Sequence, residues 1–207
     1  MSRSEQEADP DLELVQALAG GDESALNELM AKYGEPIFHF VYRHVFNEAD
    51  ARDLAQKVFV RLYFNIGKFK PEAKFSTWLY QIALNLCRDH AKSKHTRQSA
   101  VTDSLTAHED DEDHPARDLA VENRTPACEA LAHEKLAALE AGMLALPKEL
   151  HAALVLTVLE QRSHHECAEL LKTTPKAIET RVYRARKFLI EWMSRAGFVF
   201  LLTTLFY

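Results

Sequence analysis

The segment from Ser163 to Leu189 limits the folds open to this chain more than any other. Ser163, followed three residues later by Glu166, has the spacing of a capping box, where cap and third residue satisfy each other's free backbone donors. Cys167, Ala168 and Leu171 fall on one inward side of the helix so started. Lys172-Thr173-Thr174 reads as a short turn. Thr174 caps a second helix, and Pro175 occupies its first turn, where a missing N–H costs nothing. Ile178, Val182, Ala185 and Leu189 recur at helical spacing as a buried seam. The unit is a helix-turn-helix. Its second helix leaves Lys176, Glu179, Thr180, Tyr183, Arg184 and Lys187 on the other side, with Arg181 between the faces. Helices of this kind present their N-terminal half to base edges and phosphates. Arginine can bond guanine bidentately, and glutamate can accept from a cytosine amino group.

A net charge of −6 looks wrong for a chain that meets DNA. The charge is unevenly placed. Nine carboxylates lie between Ser99 and Ala130 against only Arg117 and Arg124, so this stretch carries −7 and the remainder +1. Lys176 to Arg195 holds six bases against Glu179 and Glu191, a net of +4. A basic reader beside an acidic tether is the better description.

The rest of the chain is helical in pattern. Gly and Pro are scarce, at 6 and 7, and Leu, Ala, Glu, Lys and Arg are plentiful, which favours helices over sheet. The expected fold is all-α, with two small helical domains joined by an acidic flexible linker, the second containing the helix-turn-helix. The expected boundaries are 1–95 for the first domain, 96–130 for the linker, 131–196 for the second domain and 197–207 for an apolar tail. Gly20-Gly21 breaks a first helix begun by Leu12, Val15 and Leu18. Asp22 or Ser24 caps the stripe Leu26, Leu29, Met30 and Tyr33, and Pro36 opens a further helix. Asn47 and Asp50 start another, which places Leu54, Val58, Phe59, Leu62 and Ile66 on one side until Gly67. Ser76 or Thr77 caps a helix to about Lys94. Leu146-Pro147 starts the helix before the helix-turn-helix. The ten residues Phe198 to Tyr207 are strongly apolar, about half of what a membrane span needs. The polar, acidic N-terminus is unlike a signal peptide, so the cytoplasm is the expected compartment.

The first domain offers a second nucleic-acid surface. Gln81, Asn85, Arg88 and Lys92 share one stripe of their helix, opposite Leu79, Ile82, Ala83 and Leu86. Before it, Phe69, Phe75 and Trp78 interleave with Lys68, Lys70 and Lys74. A π surface beside phosphate-neutralising cations is what unstacked bases require. Phe75 and Trp78 could equally close the core under this loop. Asp50, Asp53, Gln56 and Lys57, beside Phe59, form a charged face that is either solvated or a docking surface.

Catalysis finds little support. There is no phosphate-cradling glycine loop and no nucleophile motif. Cys87, Cys128 and Cys167 are too scattered for a metal or disulfide framework. His164-His165-Glu166-Cys167 invites a metal reading. Adjacent histidines, however, point to different sides of a helix, and a surface pair above a buried thiol fits better. No catalytic residue, metal, cofactor or small-molecule substrate is expected.

Three stretches together resemble a bacterial sigma factor of the extracytoplasmic-function type, within the sigma-70 family. Asp50-Ala-Arg-Asp-Leu-Ala-Gln-Lys-Val-Phe-Val-Arg-Leu-Tyr63 is similar to the segment that docks on the RNA polymerase clamp helices. Lys74-Phe-Ser-Thr-Trp-Leu-Tyr-Gln-Ile-Ala-Leu-Asn-Leu-Cys-Arg-Asp-His90 is similar to the segment that melts and reads the −10 element. Leu146-Pro-Lys-Glu-Leu150 through Thr180-Arg-Val-Tyr-Arg-Ala-Arg-Lys187 resembles the −35 reader. The resemblance implies polymerase contacts at Asp50, Asp53, Gln56 and Phe59. It implies −10 contacts at Phe75, Trp78, Gln81, Asn85 and Arg88, to which the shared stripe adds Lys92, and −35 contacts at Lys176, Glu179, Thr180, Arg181 and Arg184. The implied partners are core RNA polymerase and promoter DNA, with an anti-sigma protein as a further candidate. Lys57 departs from the family's usual acid and Leu84 from a usual arginine. The competing reading is a stand-alone helix-turn-helix regulator that works without polymerase.

Overall fold

The computed structural model describes residues 9–71, 74–101 and 126–198, with the side chains of 94–101 and 126–129 left aside. Most of the acidic stretch and of the apolar tail lies outside the described residues. Every regular element among the described residues is helical. Four helices make an N-terminal module: α1 (Leu12–Ala19), α2 (Glu23–Val45), α3 (Glu48–Asn65) and α4 (Phe75–Val101). Four more make a C-terminal module: α5 (Pro126–Ala145), α6 (Lys148–Leu154), α7 (His164–Leu170) and α8 (Pro175–Arg195), with a π-helical stretch, Val155–Leu159, after α6.

The N-terminal core forms where apolar stripes of α2, α3 and α4 meet. Leu29, Ile37, Phe40 and Val41 face Leu54, Val58 and Leu62, with Phe75, Leu79 and Ala83 closing the layer. Side chains of this size stabilise by roughly 1.5–3 kcal/mol each when fully buried. Local chemistry sets the ends. Gly20 caps α1 and Gly21 turns the chain at φ +96°, a conformation glycine adopts without strain. Of the two candidate caps for α2, Asp22 is the one used, accepting from Ser24 N at 2.9 Å. Asn47 caps α3, accepting from Asp50 N.

Four boundaries differ from expectation. Pro36 does not open a helix, because α2 runs through it. Ala25, Leu29, Ile37 and Val41 stay in register on both sides of the proline, so packing holds the helix across one lost hydrogen bond. The helix α4 starts at Phe75, ahead of Ser76 and Thr77. Its first donor, Phe75 N, bonds the carboxylate of Asp9, sixty-six positions away in sequence and invisible to local pattern. The same helix continues past Lys94 to Val101, since no glycine or proline interrupts it. Gly67 lies inside a short 3-10 turn, Ile66–Lys68, rather than directly capping α3.

In the C-terminal module the helix-turn-helix forms as expected. Ser163 Oγ accepts from Glu166 N at 3.2 Å, and the Glu166 carboxylate accepts from Ser163 N at 3.0 Å. Lys172 takes the left-handed conformation in the turn, and Thr174 caps α8 with Pro175 behind it. Ile178, Val182, Ala185 and Leu189 are buried, as are Cys167 and Ala168. The helix α5 lies tightly on α8. Trp192 Nε1 donates to Ala138 O at 2.9 Å, and a Cβ built on Gly142 would stand 2.7 Å from the Trp192 ring. The modules touch through α4 and α7 and through α2 and the π-helical stretch, and their buried residues join in one apolar cluster.

Candidate nucleic-acid and polymerase interfaces

The end of α3 and the start of α4 frame an open notch of about 240 Å3 lined by Arg61, Asn65, Lys68, Trp78, Ile82 and Asn85. Trp78 supplies a half-buried aromatic wall. It rests on Phe69 and Phe75, at ring distances of 5.5 and 6.2 Å. Phe75 is 0% exposed and stacks edge-on with Tyr33. The base contact expected of Phe75 is therefore corrected: it is the floor under Trp78, since its ring has no free surface. Arg61 and Asn65 were not among the expected site residues, and Ile82, expected on the apolar side of α4, lines the notch instead. The signal was present in the four-residue spacing of Arg61 and Asn65 at the end of α3, which puts both on one exposed side.

Along α4, Gln81 and Asn85 are joined by a 3.3 Å hydrogen bond, and Asn85, Arg88 and Lys92 are exposed. Leu84 is buried. It belongs to a second buried stripe, Tyr80, Leu84 and Cys87, beside the expected Leu79, Ala83 and Leu86. An arginine at position 84 would have no water to reach. A helix that packs against both modules needs two apolar sides.

The outer face of α3 is charged at its start and apolar at its end. Asp53 is paired with Lys57 at 2.5 Å, Arg52 with Glu48 at 2.6 Å, and Asp50 reaches His90 of α4 at 3.3 Å. Gln56 is exposed. Phe59 is 6% exposed and faces the core, so the docking contact expected of it is also corrected. The exposed apolar residues of that face are Val60, at 54%, and Phe64, at 76%. With Asp53 and Gln56 they follow helical spacing along one stripe. Neither was singled out, because an apolar residue within a helix reads as core until its neighbours are placed.

On α8 the expected contacts Lys176, Glu179, Thr180 and Arg184 are exposed on one side, with Tyr183 at 69% among them. Lys176 and Glu179 pair at 2.7 Å, which holds the Glu179 carboxyl below its usual range. Arg181 is half-buried and turned toward Glu149 of α6 at 3.8 Å. His164 and His165 are exposed, and His165 pairs with Glu169 at 3.4 Å. No cluster of three metal-binding side chains occurs among the described residues. Burial pushes the Cys87 thiol up to about 12 and raises that of Cys167, so neither offers a thiolate nucleophile.

Comparison with known proteins gives these surfaces a context. Residues 29–97 match the family model described as Sigma-70 region 2, and residues 136–189 match Sigma-70, region 4. The chain is 30% identical to the RNA polymerase sigma-H factor of Pseudomonas aeruginosa over 181 residues, covering 86% of this chain and 90% of that protein. It is 28% identical to the ECF RNA polymerase sigma factor SigW of Bacillus subtilis, covering 84% and 91%. Its fold is similar to that of CnrH solved with the cytosolic domain of CnrY, at TM-score 0.64 and 24% identity, covering 89% of this chain and 97% of that one. It is also similar to the sigma factor RpoE of Bartonella quintana solved with the anti-sigma factor NepR, at TM-score 0.60 and 19% identity, covering 81% and 96%.

Proposed function

This chain belongs to the sigma-70 family, in its extracytoplasmic-function group, and we propose from its surfaces how it directs core RNA polymerase to promoters. Such proteins are initiation factors and carry out no chemistry themselves. The N-terminal module docks on polymerase through the α3 stripe of Asp53, Gln56, Val60 and Phe64, with Asp50 at its start. Phe64, exposed in the free chain, would be desolvated on docking, as the central residues of interfaces are. The Lys57–Asp53 pair partly neutralises the carboxylate that would otherwise meet polymerase.

The observation that carries the reading is the notch beside Trp78. Its indole offers a stacking surface, Asn65 and Asn85 offer amide edges, and Arg61 and Lys68 offer cations. Those groups together suit a base that has left the duplex, followed along α4 by Gln81, Arg88 and Lys92. The exposed side of α8 reads the −35 duplex through Lys176, Glu179, Thr180, Tyr183 and Arg184, with Arg181 lending charge from the margin. A stand-alone regulator would have a use for α8 but none for the notch. The cytoplasm is the compartment this role requires, and no described helix is long and apolar enough to cross a membrane. RpoE was solved with an anti-sigma factor, and a protein of that kind is the further partner we assign to this chain.

The test is Trp78→Ala on a promoter that the holoenzyme transcribes. Stacking is worth about 1–3 kcal/mol per base, so open-complex formation should fall about 5- to 150-fold. Permanganate reactivity of −10 thymines measures it, and retention on core polymerase should not change. Normal strand opening would remove the notch from the mechanism.

A further inference from the structure

Beside the α4–α7 contact, the two modules meet at a polar and aromatic patch that leaves both nucleic-acid faces exposed. From the N-terminal module it takes the end of α2, Arg43 to Phe46, and Tyr80 of α4. From the C-terminal module it takes His151, Glu160 and Arg162. Arg43 pairs with Glu160 at 2.5 Å, Tyr80 donates to the same carboxylate at 3.4 Å, and the Arg162 guanidinium lies 4.1 Å above the Tyr80 ring. At its centre the rings of His44 and His151 stack at 5.1 Å and 19°, with Phe46 stacked on His151 at 6.2 Å.

The hydrogen bonds set the tautomer of both neutral rings. His44 donates from Nδ1 to Phe40 O at 2.8 Å, and its Nε2 is buried with no hydrogen-bond partner. His151 donates from Nε2 across the interface to Arg43 O at 2.9 Å. In its neutral form each ring has one N–H, and these bonds use it. The charged and titratable groups around them are Arg43 on α2, Tyr80 and Arg88 on α4, and Glu160 and Arg162 after the π-helical stretch. Glu160, the one carboxylate in this set, is already held by Arg43 and Tyr80. A second proton on His44 would place a cation against another ring and two arginines with no acceptor for its buried Nε2, and one on His151 would place a cation in the same ring stack.

We propose that the His44–His151 stack is an acid-sensitive latch, which holds the modules together while both rings are neutral and releases them when either is protonated. Burial drives the His44 imidazole down to about 3, helped by repulsion from His151, Arg88 and Arg43, and burial lowers His151 as well. An exposed histidine titrates near 6.5. The closed form's advantage is therefore complete above about pH 6.5 and is lost as pH falls. Between pH 7.5 and 5.5, His44 can raise the open-to-closed ratio up to about tenfold, and His151 adds to it in the same direction.

Opening has a consequence for the function proposed above, and that consequence rests on that reading. The −35 and −10 elements, roughly 25 base pairs apart by their own numbering, lie about 85 Å apart along B-form DNA. A compact chain of this length has a radius of gyration of about 17 Å. The closed arrangement cannot touch both elements, although it hides neither reading face.

The test uses the full chain carrying one fluorophore per module. Distance distributions are compared at pH 7.5 and 5.5 at fixed ionic strength, beside the double variant His44→Phe/His151→Phe. The expected result is a rise in the open population of the native chain in acid, with unchanged helical circular dichroism, and a double variant that stays closed at both values. A native distribution indifferent to pH, or a double variant that opens equally, would overturn the latch. Should the variant not fold, imidazole NMR titration of the native chain decides instead. Two histidines titrating near 6.5 while the chain remains compact would overturn it, and two rings that stay neutral until the chain opens would support it. Run-off transcription, measured separately, tests the promoter reading, so either idea can fail alone.

Discussion

At the residue scale, Gly142 stands out for what it allows. It lets α5 approach α8 closely enough for Trp192 to bond Ala138 O, and an added Cβ would meet the indole at 2.7 Å and Leu189 at 3.1 Å. Overpacking of this kind costs about 1–3 kcal/mol. Gly142→Ala should lower the stability of the C-terminal module by that amount in thermal or denaturant unfolding, and unchanged stability would mean that α5 can lift away freely. Phe75 and Phe59 carry the complementary lesson. The aromatic–lysine loop and the charged start of α3 were legible in the sequence as candidate surfaces. Which aromatic faces outward was not, because that depends on Tyr33 and the α2 core, which reach these positions only in three dimensions.

At the scale of the element, legibility follows locality. The helix-turn-helix was readable from Ser163 to Leu189 because every contact that defines it, from capping box to seam, lies within two helices. The start of α4 was not, because Asp9 caps it from the far end of the chain. Continuity of α2 through Pro36 was also missed, since local chemistry favours a break and only packing opposes it. On α8 the exposure pattern separates two kinds of contact. Arg184 is exposed in the middle of the reading side, whereas Arg181 turns toward Glu149. In filter or anisotropy binding by the holoenzyme, Arg184→Ala should cost about 1–3 kcal/mol and relax preference at one base pair of the upstream element. Lys187 is exposed one turn beyond Tyr183 on the same side, and if it meets a phosphate, Lys187→Ala should reduce the salt slope by about one without changing base preference. An Arg184→Ala protein with native affinity and specificity would remove that side chain from the −35 site.

At the scale of the molecule, the division of labour between modules follows from charge and distance. The acidic stretch carries −7 on a chain whose total is −6, so free protein is repelled by duplex DNA even though α8 is basic. Residues 102–125, drawn out fully, would reach roughly 80 Å, about the separation of the two promoter elements. That length would let one chain reach both elements once the modules part. The two-domain plan was visible in sequence from the acidic run between two helical patterns. The patch of Arg43, His44, His151 and Glu160 was not, since its members lie more than a hundred positions apart and none belongs to a motif.

The central claim, that this chain selects promoters for core polymerase, is tested most directly by transcription of fragmented genomic DNA with core enzyme, with and without the chain, and mapping of transcript 5′ ends. Initiation should gather at a limited set of sites that share one sequence block near −35 and one near −10. Transcript ends no different from those of core enzyme alone would contradict the account.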